Sequence, residues 1–599
     1  MDKIAITGMG AVSAAGDCCY EILKTIRNDL FGIQSYNYFS PELKDLPVGK
    51  AWVTDSELLG FPGLEGKPVS RTILMALCAL REAIYAGKVD EQKYSKDDPL
   101  KVVLVNATTV GGMDLTEREF TQLREGEGNA ECMCSHDCGA TTQAIADYLG
   151  VFSDYTTVST ACSSAANALL VGAELLKSHQ ADIVIAGGTE ALTKFHICGF
   201  NSLMILDHEP CRPFDKNRAG LNLGEGAAYV VMEREETVKE VNDDIGEFGK
   251  VSIIAYLTGY GNACDAFHQT ATSDNGEGPF LAMTEALRMA GLKPRQIDYV
   301  NAHGTGTLNN DLSESAALRR VFGEDMPAVS STKGYTGHAT SAAGAIEAVI
   351  TLQALKYDFF PINRGWIVQD EGLIRPMMDD YAVEPLEHVM CNSFGFGGND
   401  TSLIFSKHPV KTTAATHEVP QFEVRELARV VISGTEELPS VSEFVRPMEA
   451  RRMSRLMKAA VLSSMRALRE AGVDSPDAII TATAYGSVEL SERLLNQLAD
   501  NEPLKPTWFM QSTHNTIAGE LAIRTHCHGY NITYTQGSRS LDWALRDARR
   551  ILCQGRCKTV LVECHDETTP LFRQLMERAG RECQQEDVKS IAIILSCGE

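Results

Sequence analysis

A cysteine and two histidines stand in three small-residue segments that could bring them to one reaction centre. In Val158-Ser-Thr-Ala-Cys162-Ser-Ser-Ala165 a β-rich run meets a turn of small residues, and a helix is expected to begin at about the cysteine. A helix N-terminus offers unpaired N–H groups and partial positive charge, which favour thiolate over thiol and can hold an oxyanion. In Tyr299-Val-Asn-Ala-His303-Gly-Thr-Gly-Thr307 a predicted strand ends at a histidine beside two glycines and two hydroxyls. In Ser331-Thr-Lys333-Gly-Tyr-Thr-Gly-His338 a second histidine follows a lysine by five positions, with acidic partners available at Asp311 and Glu314. Either imidazole could move a proton or donate to a developing oxyanion. A fourth segment, Cys391-Asn-Ser-Phe-Gly-Phe-Gly-Gly398, reads as a mobile glycine-rich loop with two phenylalanine plugs. Such a loop could gate an apolar tunnel, and Phe396 could offer its backbone N–H to an oxyanion. Taken singly, each segment has a plainer explanation, since most cysteines pack and a histidine at a strand end is commonly structural.

The elements that must carry these segments alternate. Lys101–Val105 and Asp182–Ala186 read as buried strands, and Ser164 to Ser178 has helical spacing, so the expected class is α/β with buried sheets. A polar, threonine-rich stretch at 409–420 reads as a linker between residues 1–408 and 421–599. The first part divides at about 250 into two halves, roughly 1–250 and 251–408. Beyond the linker the pattern of the first half returns: Met453-Ser-Arg455 and its helix parallel Val69-Ser-Arg71 and the helix to Gly87. In the register of that repeat, Ser538 falls opposite Cys162, 376 positions on.

Composition narrows the partners. The 599 residues carry a formal net charge of -25, which argues against broad nucleic-acid or anionic-membrane binding. No apolar run is long enough to span a bilayer, and the N-terminus reads as a strand entering a glycine turn rather than a signal peptide, so a cytoplasmic location is expected. Seventeen scattered cysteines read as reduced thiols. Cys132, Cys134, His136 and Cys138 are metal-ligand types, but their spacing fits no zinc pattern.

Together the four segments, with Ile6-Thr-Gly-Met-Gly10, Gly111-Gly112, Arg212-Pro-Phe-Asp215 and Gly224-Glu-Gly226, resemble the elongating β-ketoacyl-[acyl carrier protein] synthases of the thiolase superfamily over nearly all of residues 1–408. The resemblance implies a five-layered α-β-α-β-α fold and decarboxylative condensation of an acyl thioester on Cys162 with malonyl-[acyl carrier protein], in fatty acid or polyketide and polyene synthesis. It implies that His303 and His338 assist decarboxylation, with Lys333 supporting them and Asp311 and Glu314 near. The oxyanion hole would be the N–H groups of Cys162 and Phe396, with gating by Phe394 and Phe396. Thr305 and Thr307 would contact the pantetheine arm, and Val110 would line the acyl pocket. No cofactor is implied beyond the 4'-phosphopantetheine of the carrier. A structural cation near Asn301, Glu347 and Asn392 is an option. The implied partners are acyl carrier protein, docking near Lys67 and Arg71, and a second ketosynthase-like subunit in a homodimer or heterodimer.

Two features depart from the family pattern. Asn399-Asp400 follows Gly398 where Thr-Asn is usual. Residues 421–599 resemble an N-terminal ketosynthase half without its other half, and no histidine context like that of His303 accompanies Ser538. This smaller α/β module is therefore expected to be catalytically silent, in the manner of chain-length partner subunits, and its deletion is expected to leave the first site chemically competent. A thiolase would want a second catalytic cysteine in the loop at Phe394–Gly398, where there is none.

Overall fold

The computed structural model describes all residues except 1, 37–42, 44, 55–59, 65–66, 94–98, 245–249, 381–383, 411–422, 435–437 and 599, so the expected linker lies mostly outside the described residues. Seventeen strands are described. In the first half they are β1 (Ile4–Ser13), a small hairpin of β2 (Gln34–Tyr36) and β3 (Leu46–Val48), β4 (Val102–Ala107), β5 (Asp154–Val158), β6 (Ile183–Glu190) and β7 (Gly226–Arg234). The second half supplies β8 (Ala255–Cys264), β9 (Tyr299–Asn301), β10 (Ala328–Ser330), β11 (His388–Gly395) and β12 (Asn399–Ser406). The module supplies β13 (Val424–Gly434), β14 (Ala478–Ala482), β15 (Asn531–Tyr534), β16 (Thr559–Glu567) and β17 (Val588–Cys597).

Fifteen of these form one ladder in the order β10-β9-β11-β12-β8-β1-β7-β6-β4-β5-β15-β14-β16-β17-β13. Only Ile4–Ile6 join β1 to β8, so within 1–408 the ladder folds into two facing sheets. The helices Ser164–Lys177 and Ala343–Tyr357 lie between them, buried along almost their whole lengths. A helix apolar all round must be covered on both sides. Helix Arg71–Ala86 packs outside the first sheet and helix Glu277–Ala290 outside the second, which completes five layers.

The module repeats the first sheet strand for strand: 5-4-6-7-1 becomes 15-14-16-17-13, with the same parallel and antiparallel pairs. Even a bulge recurs. It follows the third residue pair both in β1–β7, at Ile6/Gly8, and in β13–β17, at Glu426/Ala428. The two copies meet edge to edge through Val158 and Tyr534, again 376 apart. Around that pair, Ser159 N–H donates to the Thr533 carbonyl and Thr535 N–H to the Thr157 carbonyl, each at 3.0 Å. Equivalent residues exchanging equivalent bonds define a two-fold axis internal to the chain. The hydrophobic core runs through the junction, from Ala165 and Leu169 to Tyr534, Trp543 and Ile551. The β5 edge is thereby taken up within the chain by the module's own β15.

Opposite charges mark this axis. Glu174 and Arg550 are equivalent positions, and they form a buried ion pair across it. Arg124 and Asp500 are likewise equivalent and lie 2.7 Å apart.

Candidate active site

Cys162 and His303 each follow a strand and precede a helix, whereas His338 lies between the helical turn Lys333–Thr336 and the helix Ala343–Tyr357. After β5, Ala161–Ser163 form a 3-10 turn that leads into helix Ser164–Lys177, so the helix proper begins two residues past the cysteine. Ala161 holds φ of 53°, a left-handed conformation costly for alanine that lifts Cys162 out of the strand direction. The second half repeats the device, with Thr340 at φ of 42° just after His338. Glu190, at the end of β6, ties the two halves together. It accepts from the N–H groups of Thr109 and Val110 and from the hydroxyls of Thr340 and Ser341.

Cys162, His303 and His338 converge, their sulfur and ring nitrogens all lying within 4.8 Å of one another. His338 Nε2 is 3.0 Å from Cys162 Sγ. The two imidazoles meet edge to face with centroids 5.3 Å apart, and the Phe394 ring lies 5.9 Å from His303. Lys333 Nζ donates to the His303 carbonyl at 2.6 Å, lies 3.3 Å from His303 Nδ1 and pairs with Glu347. The acid beside the lysine is therefore Glu347. Glu314 instead accepts from the N–H groups of His303 and Gly304, at 2.8 and 2.7 Å, and fixes that turn. Asp311 accepts from the N–H groups of Phe214 and Gly306.

Burial decides the resting charges. It pushes the Cys162 thiol up to about 11, against the opposing pull of Lys333 and of the Phe396 and Cys162 N–H groups. The thiolate expected from the helix terminus is thus overridden by desolvation: the resting group is a thiol. Those two N–H groups nonetheless lie near enough to the sulfur to favour its charged form. Burial, then Lys333, holds both His303 and His338 well below the usual imidazole range, so both rings are neutral.

Two cavities meet at Cys162. One is lined by Thr305, Thr307, His303 and His338, with the exposed Met204 and Leu308 at its wall. The other runs from Cys162 past Val110 to the module, where Tyr485, Leu495, Phe509, His514 and Leu575 wall it. Phe200 and Phe396 line both and stack at 5.7 Å, forming the partition between them. The predicted mobile loop is shorter than expected. β11 continues to Gly395 and β12 starts at Asn399, leaving a three-residue turn. Its departure residue Asn399 accepts from Ser163 and Asn167 and so clasps the cysteine turn, while Asp400 is buried and its carboxyl pushed well up by desolvation. The module holds the same turn from outside through Asn515 Nδ2, which donates to the Phe396 carbonyl at 2.8 Å.

Other expectations fare differently. Arg71 is turned inward onto Glu225, leaving Lys67 as the exposed cation of the suggested docking pair. Among the described residues, Cys132, Cys134, His136 and Cys138 do not converge as a metal-binding group. Cys134 is exposed and His136 faces the second cavity. Near the suggested cation position, Asn301 Oδ1 and Glu347 Oε2 are buried acceptors without partners, which suits a hard cation, but Asn392 Oδ1 is taken by Ser402. In the module Gly537 takes the strained turn position at φ of 56°, and Ser538 is exposed. His514, His528 and His565 bond to Ser159, Cys264 and Glu563 instead of Ser538. The module's share of the cavity wall was missed from sequence. The register of 376 carried the signal, because 109–138 and 485–514 are equivalent segments lining one chamber from opposite sides.

Residues 1–238 match the sequence profile described as beta-ketoacyl synthase, N-terminal domain, and residues 254–366 the one for its C-terminal domain. A second profile with the N-terminal description matches residues 428–597. The 3-oxoacyl-[acyl-carrier-protein] synthase 2 of Vibrio cholerae is 31% identical over 422 residues, which cover 68% of this chain and 99% of the relative. The enzyme of the same description from Coxiella burnetii is also 31% identical, over 68% of this chain and 98% of its own. Among solved structures, the ishigamide ketosynthase/chain length factor matches with a TM-score of 0.62 at 27% identity, covering 68% of this chain and 99% of that one. The PfaC keto synthase–chain length factor matches 100% of this chain and 78% of its own with a TM-score of 0.79; at 15% identity that likeness is one of fold. Five layers and a cysteine on a strained turn between two histidines define the thiolase-like class. Within that class the chain belongs to the β-ketoacyl synthase family.

Proposed function

We propose that the protein condenses carrier-bound acyl and malonyl units in fatty acid or polyketide synthesis, by the following route. The acyl group passes from its carrier thioester to Cys162, whose proton goes by way of His338 Nε2 to the departing pantetheine sulfur. A malonyl thioester then occupies the Thr305/Thr307 cavity and loses carbon dioxide, and the electron pair of the broken bond remains as an enolate. His303, backed by Lys333, and His338 stand where they can donate to the enolate oxygen. The enolate carbon attacks the acyl carbonyl, the resulting oxyanion sits on the N–H groups of Cys162 and Phe396, and the sulfur leaves to regain a proton. The product is a 3-oxoacyl thioester. Decarboxylation supplies the carbanion, so the route draws on neither a redox cofactor nor a strong base.

The observation that carries this reading is the convergence of one thiol and two neutral imidazoles at the junction of two cavities. Acyl carrier protein is the proposed partner, with Lys67 one exposed cation for it. Residues 421–599 act as a built-in, non-catalytic partner that walls the acyl chamber; the mirrored strand pairing supports that role. Seventeen free thiols support a reducing compartment, and we place the protein in the cytoplasm. Mass spectrometry should find an acyl group on Cys162 after incubation with acyl-carrier protein, and Cys162→Ala should abolish both the adduct and condensation. Condensation by the alanine variant at an undiminished rate would sink the assignment.

A further inference from the structure

The chamber beyond Cys162 is not a plain hydrocarbon tunnel. Its walls are apolar at Val110, Phe195 and Leu495, but they carry a band of polar groups from both repeats: His136 from the first, and Tyr485, Ser491 and His514 from the module. All four are partly accessible, and the chamber they line gives them that surface. Each histidine is anchored by one ring nitrogen. His136 Nδ1 lies 2.8 Å from Thr116 Oγ1, and His514 Nδ1 lies 3.0 Å from Ser159 Oγ. Among the hydrogen bonds of the described residues, none engages either Nε2, the Tyr485 hydroxyl or the Ser491 hydroxyl. An anchored imidazole with a free second nitrogen presents one oriented donor or acceptor to whatever fills the space.

These groups are also uncharged. Burial lowers the His136 imidazole against the opposing pull of Asp137, with Arg581 adding to the lowering, and burial and His565 take His514 down to about 4. Burial also pushes the Tyr485 phenol up to about 12. The neighbouring acids are engaged: Asp137 pairs with Arg581 at 2.7 Å, and Glu492 accepts from the Thr569 hydroxyl. A saturated alkyl chain would leave the four groups unpaired or trap water beside hydrocarbon, and either is unfavourable. A carboxylate would meet no free cation among the described residues of the band.

We propose that the chamber selects acyl chains carrying uncharged oxygen functions, ketone or hydroxyl, beyond the thioester, over saturated chains of equal length, with His136, Tyr485, Ser491 and His514 as the specificity-determining residues. This rests on the condensing-enzyme reading and names the substrate class of that same site.

The test measures transfer onto Cys162, by intact-protein mass spectrometry, from pantetheine thioesters matched in length. The probes are a saturated alkanoyl chain, mid-chain oxo and hydroxy chains, and a carboxyl-tailed chain. The oxo and hydroxy chains are expected to load roughly tenfold or more faster than the saturated one. Tyr485→Phe, which removes only a hydroxyl, and His514→Phe should each narrow that ratio severalfold, with circular dichroism confirming the fold. Should His514→Phe fail to fold, Tyr485→Phe and His136→Leu carry the test. Faster loading of the saturated or the carboxyl-tailed chain, or a ratio untouched by every folded variant, overturns the inference while leaving the condensing-enzyme reading intact. Failure of every chain to load overturns both.

Discussion

Reversing one charge at the internal two-fold axis should release the module from the rest of the chain. Glu174 is buried and accepts from Arg550, from Arg556 at 3.0 Å, from Gln554 at 3.1 Å and from the Tyr260 hydroxyl at 2.5 Å. Burial opposes its ionisation, but Arg550, Arg556 and Lys177 outweigh that and hold the carboxyl down at about 2. Breaking a buried pair by removing one partner costs about 3–5 kcal/mol, roughly a hundred- to several-thousand-fold in an association constant. Glu174→Gln keeps the hydrogen-bonding shape, so the low end is expected. Glu174→Arg brings a third guanidinium beside Arg550 and Arg556, and the high end is expected. A protease site inserted at 411–420 allows the connection to be cut and the two pieces followed by size exclusion. They should stay together in the parent and separate in Glu174→Arg. The exchange Glu174→Arg with Arg550→Glu should rejoin them in part, since Asp547 then faces the new glutamate. Unchanged co-elution of Glu174→Arg, with unchanged affinity, would refute the reasoning. Because the lowered carboxyl stabilises the folded state only while ionised, this contribution is complete above about pH 4.3 and is lost as pH falls through 2.

The remaining predictions concern the active site. Alkylation of Cys162 by iodoacetamide should rise about tenfold per pH unit from neutrality toward 10, because the thiol titrates near 11; a plateau below pH 8 would contradict this. Lys333→Met strands Glu347 in the core and should cost about 3–5 kcal/mol along with most turnover. Adding Glu347→Gln should restore the melting temperature but not turnover, and turnover within twofold of the parent in Lys333→Met would remove the lysine from the site.

The layered fold and the catalytic trio were legible because their signals are local. Strand ends, small-residue turns and helix starts recur around Cys162, His303 and His338, and each fixes its side chain over a handful of residues. Packing was not legible. That Arg71 turns inward to Glu225, that Lys333 chooses Glu347 over Glu314, and that burial overrules the helix terminus at Cys162 all depend on what lies on the far side of a layer. That residues 1–408 share a chamber wall with the module depends on the same far-side packing. Val110 faces Cys162 from one side of the chamber, and Leu495 and Phe509 close it from the module, so deleting 421–599 would remove a wall and the Asn515 hold on the Phe396 turn.

The mirrored junction has a consequence for how this catalyst is inherited. A second copy docked on the β5 edge would set Glu174 against Glu174 and Arg124 against Arg124, so swapping protomers is disfavoured by like charge alone. Covalent linkage meanwhile keeps the complementary half at high effective concentration and fixes the stoichiometry at one to one. The dimensions of the reaction vessel therefore travel with its nucleophile on one polypeptide, and a change on either face is selected together with the other.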